Sequence, residues 1–335
     1  MPTYLAVIHE IQGPRVKIAV LQFFSWPGRH GDLQDVYTRG LERLHIMDQG
    51  GYDAVWIAEH HFSTYSVCPS INMMGMHFAN HSKNLRIGTG ISLAAFYNPL
   101  RLAEEVALLD VLSGGRVNWG AGSGFDPTEF RAFGIDKAER RERFRENVNI
   151  VLAAWSSEKL NFDGLYHRYE DIEVLPKPIQ DPMPVWMAAT STEAIEWAAG
   201  QGHSILMDPH SSMQEIFAKR QLYDSALEKH CHPVANRDIP VTRLFAIDHD
   251  EEEAHKIAAS GAAWVTNSYA SKSEDAGNNP VDRYVDEIVI WGKPERVADQ
   301  LMQYEEEMGL GYLLCAPLSQ NTFTLFNDEV LPRIN

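Results

Sequence analysis

The chain has 335 residues, with 29 Lys and Arg against 46 Asp and Glu for a formal charge of −17, and it is 44% apolar and 22% charged. That composition belongs to a globular protein with a large core, built as one big α/β barrel or two ordinary domains, and it excludes disorder, collagen and coiled coil. The acidic balance argues against a nucleic-acid partner or an anionic membrane surface, because both select for clustered Lys and Arg.

Met1 to Arg15 has no basic start followed by an unbroken apolar run, and no segment reaches the ~20 apolar residues of a membrane span. Short β-branched or aromatic runs predict strands at Val16 to Phe23, Ala54 to Ala58, Leu85 to Leu93, Arg116 to Ala121, Val185 to Ala189, Ser204 to Met207, Val241 to Ile247 and Tyr312 to Cys315. Between them Val36, Leu41, Leu44 and Met47 repeat at helical spacing, as do Leu102, Val106, Leu109 and Leu112, and Val148, Val151, Leu152 and Trp155. Eight strands alternating with helices predict a single (β/α)8 barrel over residues 1–335. Two stretches break the rhythm. Ser156 to Met183 reads as an irregular connection with a short hairpin, and the polar segment Thr266 to Pro280 reads as a mobile lid. Cys68, Cys231 and Cys315 lie far apart, cannot form a fully paired disulfide framework, and point to the reducing cytoplasm.

The second predicted strand ends on three titratable residues in a row, Glu59, His60 and His61. Strand ends are where a barrel keeps its chemistry, and alternation lets one or two of the three face the mouth. Catalysis and a satisfied buried His–Glu pair are equally good readings of that run. Zinc is disfavoured, since adjacent histidines on a strand diverge and no partner stands at ligand spacing, so no metal is expected. His230, Cys231 and His232 sit between a helix and Pro233, as a solvated loop does. Arg140, Arg141, Arg143 and Arg145, interleaved with Glu139, Glu142 and Glu146, read as a solvated helix face. Trp26, Phe96, Tyr97, Trp119 and Trp186 lie near strand ends, where aromatics are either core or pocket wall.

The segments VWIAEHHF, LRIGTGISL, NPLRLAEEVALLDVLSGGRVNWGAGSG, FRAFG and PVWMAATSTEAIEWAAGQG occur in this order, and GLGYLLCAP follows, ending at Pro317. Together they resemble the bacterial luciferase-like family of flavin-dependent monooxygenases, particularly the luciferase α chain. The resemblance implies a barrel that binds reduced FMN at its C-terminal mouth, reacts it with O2 to a flavin 4a-hydroperoxide, and oxygenates a small, mainly apolar organic substrate. It also implies a separate flavin reductase, consistent with the absence of a G-x-G-x-x-G fingerprint after a strand.

Carried over by position, the resemblance makes His60 the catalytic base, with His61 its supporting neighbour and Glu59 available to orient a ring. An imidazole with an ordinary pKa near 6.5 suits proton exchange at neutral pH. Gly90 and Ile91 match a strand end carrying a non-prolyl cis bond behind the flavin ring. Gly122 stands where luciferase has a reactive cysteine, which is expected to leave space beside the reacting carbon. Ser123 replaces an arginine of the phosphate site and Thr190 a glutamate. On physical grounds Ala189, Thr190 and Ser191, leading into the helix of Ala194, form an anion site at a helix N-terminus. Ile71 to Phe78, with Met73, Met74, Met76 and Gly75, matches the family's dimerising helix and suggests a homodimer. Two other classes stand beside this reading: hydride transfer with a deazaflavin, and a non-catalytic flavin-binding partner subunit.

Overall fold

The computed structural model describes residues 16–270 and 280–334. Its strands are β1 (Lys17–Gln22), β2 (Ala54–Ile57), β3 (Arg86–Thr89), β4 (Ser92–Leu93), β5 (Val117–Gly122), β6 (Leu160–Asp163), β7 (Arg168–Ile172), β8 (Val185–Ala188), β9 (Ser204–Leu206), β10 (Val241–Ile247), β11 (Ile290–Gly292) and β12 (Tyr312–Pro317). Parallel pairing runs β10–β12–β1–β2–β3–β5–β8–β9. The ring closes at Met207, whose N–H donates to the Pro240 carbonyl (2.9 Å) and whose carbonyl accepts from Thr242 N–H (3.2 Å). The result is a (β/α)8 barrel, with β4 added beside β5 and β11 along the C-terminal half of β10.

Period-two alternation builds both layers of the wall. Ala19, Leu21, Ala54, Trp56, Trp186, Leu206, Leu244 and Leu314 share the interior cluster, where Trp56 and Trp186 meet edge to face at 5.3 Å. The alternate residues Ile18, Val20, Val55, Ile57, Val117 and Trp119 pack outward under the helices. Helix Pro99–Ser113 shows why the helices form where they do. Asn98 caps it by accepting from the amides of Leu100 and Arg101, Leu102, Val106 and Leu109 are buried at helical spacing, and Gly114 ends it at φ 74°. Each such aliphatic side chain stabilises the fold by roughly 1.5–3 kcal/mol.

The predicted strands stand close to the observed ones, with two differences. The run Leu85 to Leu93 is divided into β3 and β4 by the cis peptide Gly90–Ile91. Strand β11 falls outside the predicted set; its three residues follow directly on the helical turn Tyr284–Ile288, so their apolar character reads as a continuation of that turn. Ser156 to Met183 contains the antiparallel β6–β7 hairpin. Within the expected lid, residues 271–279 lie outside the described residues. Its flanks are helical, Thr266–Ala270 as a wide π-type turn and Pro280–Arg283 as a short α-helix.

The helix Ile71–His81 departs from expectation at Gly75. A Cβ there would lie 2.9 Å from Leu109 Cδ2 and 3.3 Å from Ile87 Cγ2, so this glycine admits the chain's own neighbouring helix and strand. Met74 and Met76 pack on the core and Phe78 is buried, whereas Met73 is 76% exposed. Beside it on the helical layer Leu108 and Leu112 are also exposed.

Candidate active site

Beyond the end of β2, Glu59 is buried at 2% exposure. It accepts three hydrogen bonds, from the Tyr97 hydroxyl (2.8 Å), the Leu93 amide (3.1 Å) and His61 Nε2 (2.9 Å). Three donors on one carboxylate fix it in place, and it in turn fixes the His61 ring and its tautomer. Phe133 stands edge-on to that ring at 4.9 Å.

His60 faces the other way, stacked near Phe23 (6.3 Å) with Tyr65 edge-on at 4.9 Å. Its Nδ1 lies 3.9 Å from Glu129 Oε1. Burial, reinforced by the neighbouring His61 and by His210, pushes the His60 pKa down to about 4. The expectation of an ordinary imidazole is therefore corrected: at neutral pH His60 is uncharged. Glu129, 1% exposed, moves oppositely, its pKa raised by burial to about 7 although it accepts the His61 backbone N–H at 2.9 Å. The group beside His60 that changes protonation near pH 7 is this carboxylate.

Phe125 to Phe133 resembles the family's loop after the fourth strand, but Glu129 escaped the sequence reading because only the fold of its helix, Pro127–Phe133, brings that carboxylate to His60 and His61. His210 escaped too. It lies just past β9, shares a hydrogen bond between its Nδ1 and the Tyr284 hydroxyl (2.9 Å), and is held neutral by burial with its pKa lowered to about 4.

The cofactor candidates converge on the ends of two adjacent strands. The β5–β8 register pairs Gly120 with Trp186 and Ala121 with Met187, which brings Gly122 beside Ala188 and Ser123 toward Ala189 and Thr190. Ile91 lies against the same edge, while Gly90 before it faces β1 and β2, next to Leu21, Trp56 and the Ile57 carbonyl, to which it donates its N–H. A Cβ at Gly122 would fall 1.9 Å from Ile91 Cδ1, so the space expected there is filled by the isoleucine, which is a second correction. Ser123 Oγ turns to the Gly124 carbonyl (3.3 Å). Ser191 caps helix Thr192–Gly200 by accepting from Ala194 N–H (3.3 Å), and the first-turn amides point out of the helix end. Glu193 in that turn holds two guanidiniums, Arg141 (2.5 Å) and Arg145 (2.8 Å). These belong to the run read as a solvated face; charge alternation alone does not reveal that two of its members reach across to another helix. A hydroxyl cap, open amides and two arginines make a cradle suited to a phosphate monoester.

A family model for luciferase-like monooxygenases matches residues 17–310. The chain belongs to that family. Among its relatives is the oxygenase component of a flavin-dependent trigonelline monooxygenase from Acinetobacter baylyi, 28% identical over 68% of this chain and 63% of that protein. The monooxygenase RslO1 from Streptomyces bottropensis superposes with a TM-score of 0.85 at 25% identity, covering 96% of this chain and 100% of that one. An F420-dependent secondary alcohol dehydrogenase shares the fold with a TM-score of 0.79 at 16% identity, over 96% of this chain and 99% of that one. Membership of that family makes the chain an enzyme of the luciferase-like monooxygenase class. No described helix is long and apolar enough to cross a membrane.

Proposed function

We propose that this luciferase-like enzyme is the oxygenase half of a two-component cytoplasmic system, taking reduced FMN from a separate reductase and oxygenating a small, mainly apolar organic substrate as a homodimer. The observation carrying this reading is the convergence, at one barrel mouth, of the Glu59–His61 and His60–Glu129 pairs with the Gly90–Ile91–Gly122 edge and the arginine-flanked helix N-terminus. Bound reduced FMN supplies the activation of O2.

The chain's own residues divide the remaining work. Ser123, Ala189, Thr190, Ser191 and the amides leading to Ala194 hold the phosphate, with Arg141 and Arg145 ion-paired to Glu193 in the first turn of the same helix. Gly90, Ile91 and Gly122 form a flat apolar backing for the ring system. His60, neutral at pH 7, offers one ring nitrogen as acceptor, and Glu129 takes or returns the proton because it is divided between its two states there. Glu59 positions His61, which supports the mouth.

The test is photoreduced FMN with labelled O2 and a panel of ketones, aldehydes, aromatics and organosulfur compounds. Label in a product supports the reading. A chain that ignores reduced FMN and transfers hydride from reduced deazaflavin belongs instead with the F420 enzymes that share its fold.

A further inference from the structure

A cleft of about 690 Å3 opens where β1, β10 and β12 end, lined by Gln22, Phe23, Tyr65, Leu244, Trp264 and Ala316 among others. Its size suits a drug-sized organic molecule. Its inner end adjoins the candidate catalytic group, because Phe23 and Tyr65 are the two rings that enclose His60.

Two lining residues carry buried polar atoms with no hydrogen-bond partner: Gln22 Oε1, on a side chain 3% exposed, and Trp264 Nε1. The amide orientation of Gln22 is fixed by chemistry, since its other end meets the Phe23 carbonyl at 2.5 Å and only Nε2 can donate there. The oxygen is left as an acceptor, and the indole of Trp264 can only donate. The cleft is also lined by Arg39, Arg43, Glu253 and Lys256, but these are long side chains that can reach solvent, whereas Gln22 Oε1 and Trp264 Nε1 are buried. Buried polar groups are nearly always paired, so this unpaired acceptor and unpaired donor in the wall of one cleft describe the ligand they await.

We infer that the cleft is the substrate chamber of the proposed oxygenase, and that Gln22 and Trp264 select a compact apolar skeleton bearing one hydroxyl or N–H donor and one carbonyl acceptor. Gln22 Oε1 accepts from the donor and Trp264 Nε1 donates to the carbonyl. A pure hydrocarbon or a simple aldehyde satisfies at most one of them. The inference rests on the oxygenase reading for its meaning but not for its test.

Four probes of one skeleton, 6-acetyl-2-naphthol, 2-acetylnaphthalene, 2-naphthol and naphthalene, are titrated calorimetrically into the full chain, without flavin and again with FMN. The doubly functional probe is expected to bind about tenfold more tightly than either singly functional one. Gln22→Met should remove the advantage of the hydroxyl while leaving 2-acetylnaphthalene unchanged, and Trp264→Phe should remove that of the carbonyl while leaving 2-naphthol unchanged. Equal affinity for all four, or no binding by any, overturns the inference. The comparison of probes on the unmodified chain decides this even if a variant fails to fold. A chain that binds reduced FMN yet shows no preference among the probes defeats only this inference. One that discriminates among them but takes no FMN supports it and defeats the cofactor reading.

Discussion

The Ile91 side chain fills the volume that a Cβ on Gly122 would need, with its Cδ1 at 1.9 Å from that position and the Ala188 Cβ at 3.2 Å. Glycine at 122 and isoleucine at 91 are therefore one packing decision, made where β4, β5 and β8 meet.

Gly122→Ala should force Ile91 off its position and cost about 1–3 kcal/mol. Affinity for reduced FMN should fall with it. Gly122→Ala combined with Ile91→Ala should recover much of that loss, as read by thermal unfolding and anaerobic flavin titration. Two independent, additive losses would show that the residues do not share the space.

Glu59→Ala would strand three donors in a closed site, those of Tyr97, the Leu93 amide and His61. With a buried network broken on one side, the expected cost is roughly 3–5 kcal/mol. Glu59→Gln keeps the shape but cannot accept from all three, so its midpoint in denaturant should lie between wild type and Ala.

The carboxylate of Glu129 should leave its mark on the pH profile. Its folded pKa is raised to about 7 from an ordinary 4.5, so the folded chain keeps a proton that the unfolded chain releases. Stability from this group is full below about pH 4.5 and is lost as pH rises through 7. Glu129→Gln should flatten that decline and abolish any limb of the kcat profile near pH 7. An unchanged profile would remove Glu129 from the proton path.

The opposite slope belongs to the histidines. His60, His203 and His210 are all held near pKa 4 by burial, against 6.5 ordinarily. Below about pH 6.5 the unfolded chain takes up protons at these rings and the folded chain does not, so stability should fall with acidification towards pH 4. His203→Gln should reduce the dependence of urea midpoint on pH across that window.

Met73, on helix Ile71–His81, and Leu108 and Leu112, on the helix Pro99–Ser113 packed against it, are exposed, and a homodimer is expected to close over them. Light scattering at micromolar concentration should give twice the chain mass, and Met73→Glu with Leu112→Glu should give the single mass. Unaltered monomer in both samples would contradict dimerisation through this face.

Strand positions were readable because the barrel strands are runs of apolar and β-branched residues, as in Ile18–Leu21 or Val241–Ile247, whereas the three residues of β11 follow directly on the helical turn Tyr284–Ile288 and merge with it. The EHH run was readable because titratable side chains at a strand end are unusual. What the run does was not. The direction of the His60 shift and the existence of Glu129 and His210 as neighbours depend on chain segments brought together only by closure of the barrel. The same holds for Arg141 and Arg145, whose role is set by Glu193, about fifty positions away. Gly75 illustrates the reverse case: a small residue on a helix reads equally well as an interface or as core, and only Leu109 decides.

Anaerobic titration of the purified chain with photoreduced FMN, followed by admission of labelled O2 and substrate, tests the account most directly. It predicts saturable binding of reduced FMN that weakens in Ser191→Ala and Arg141→Ala, and labelled oxygen in the product. Absence of reduced-FMN binding, with tight binding of reduced deazaflavin and no label in any product, would contradict it.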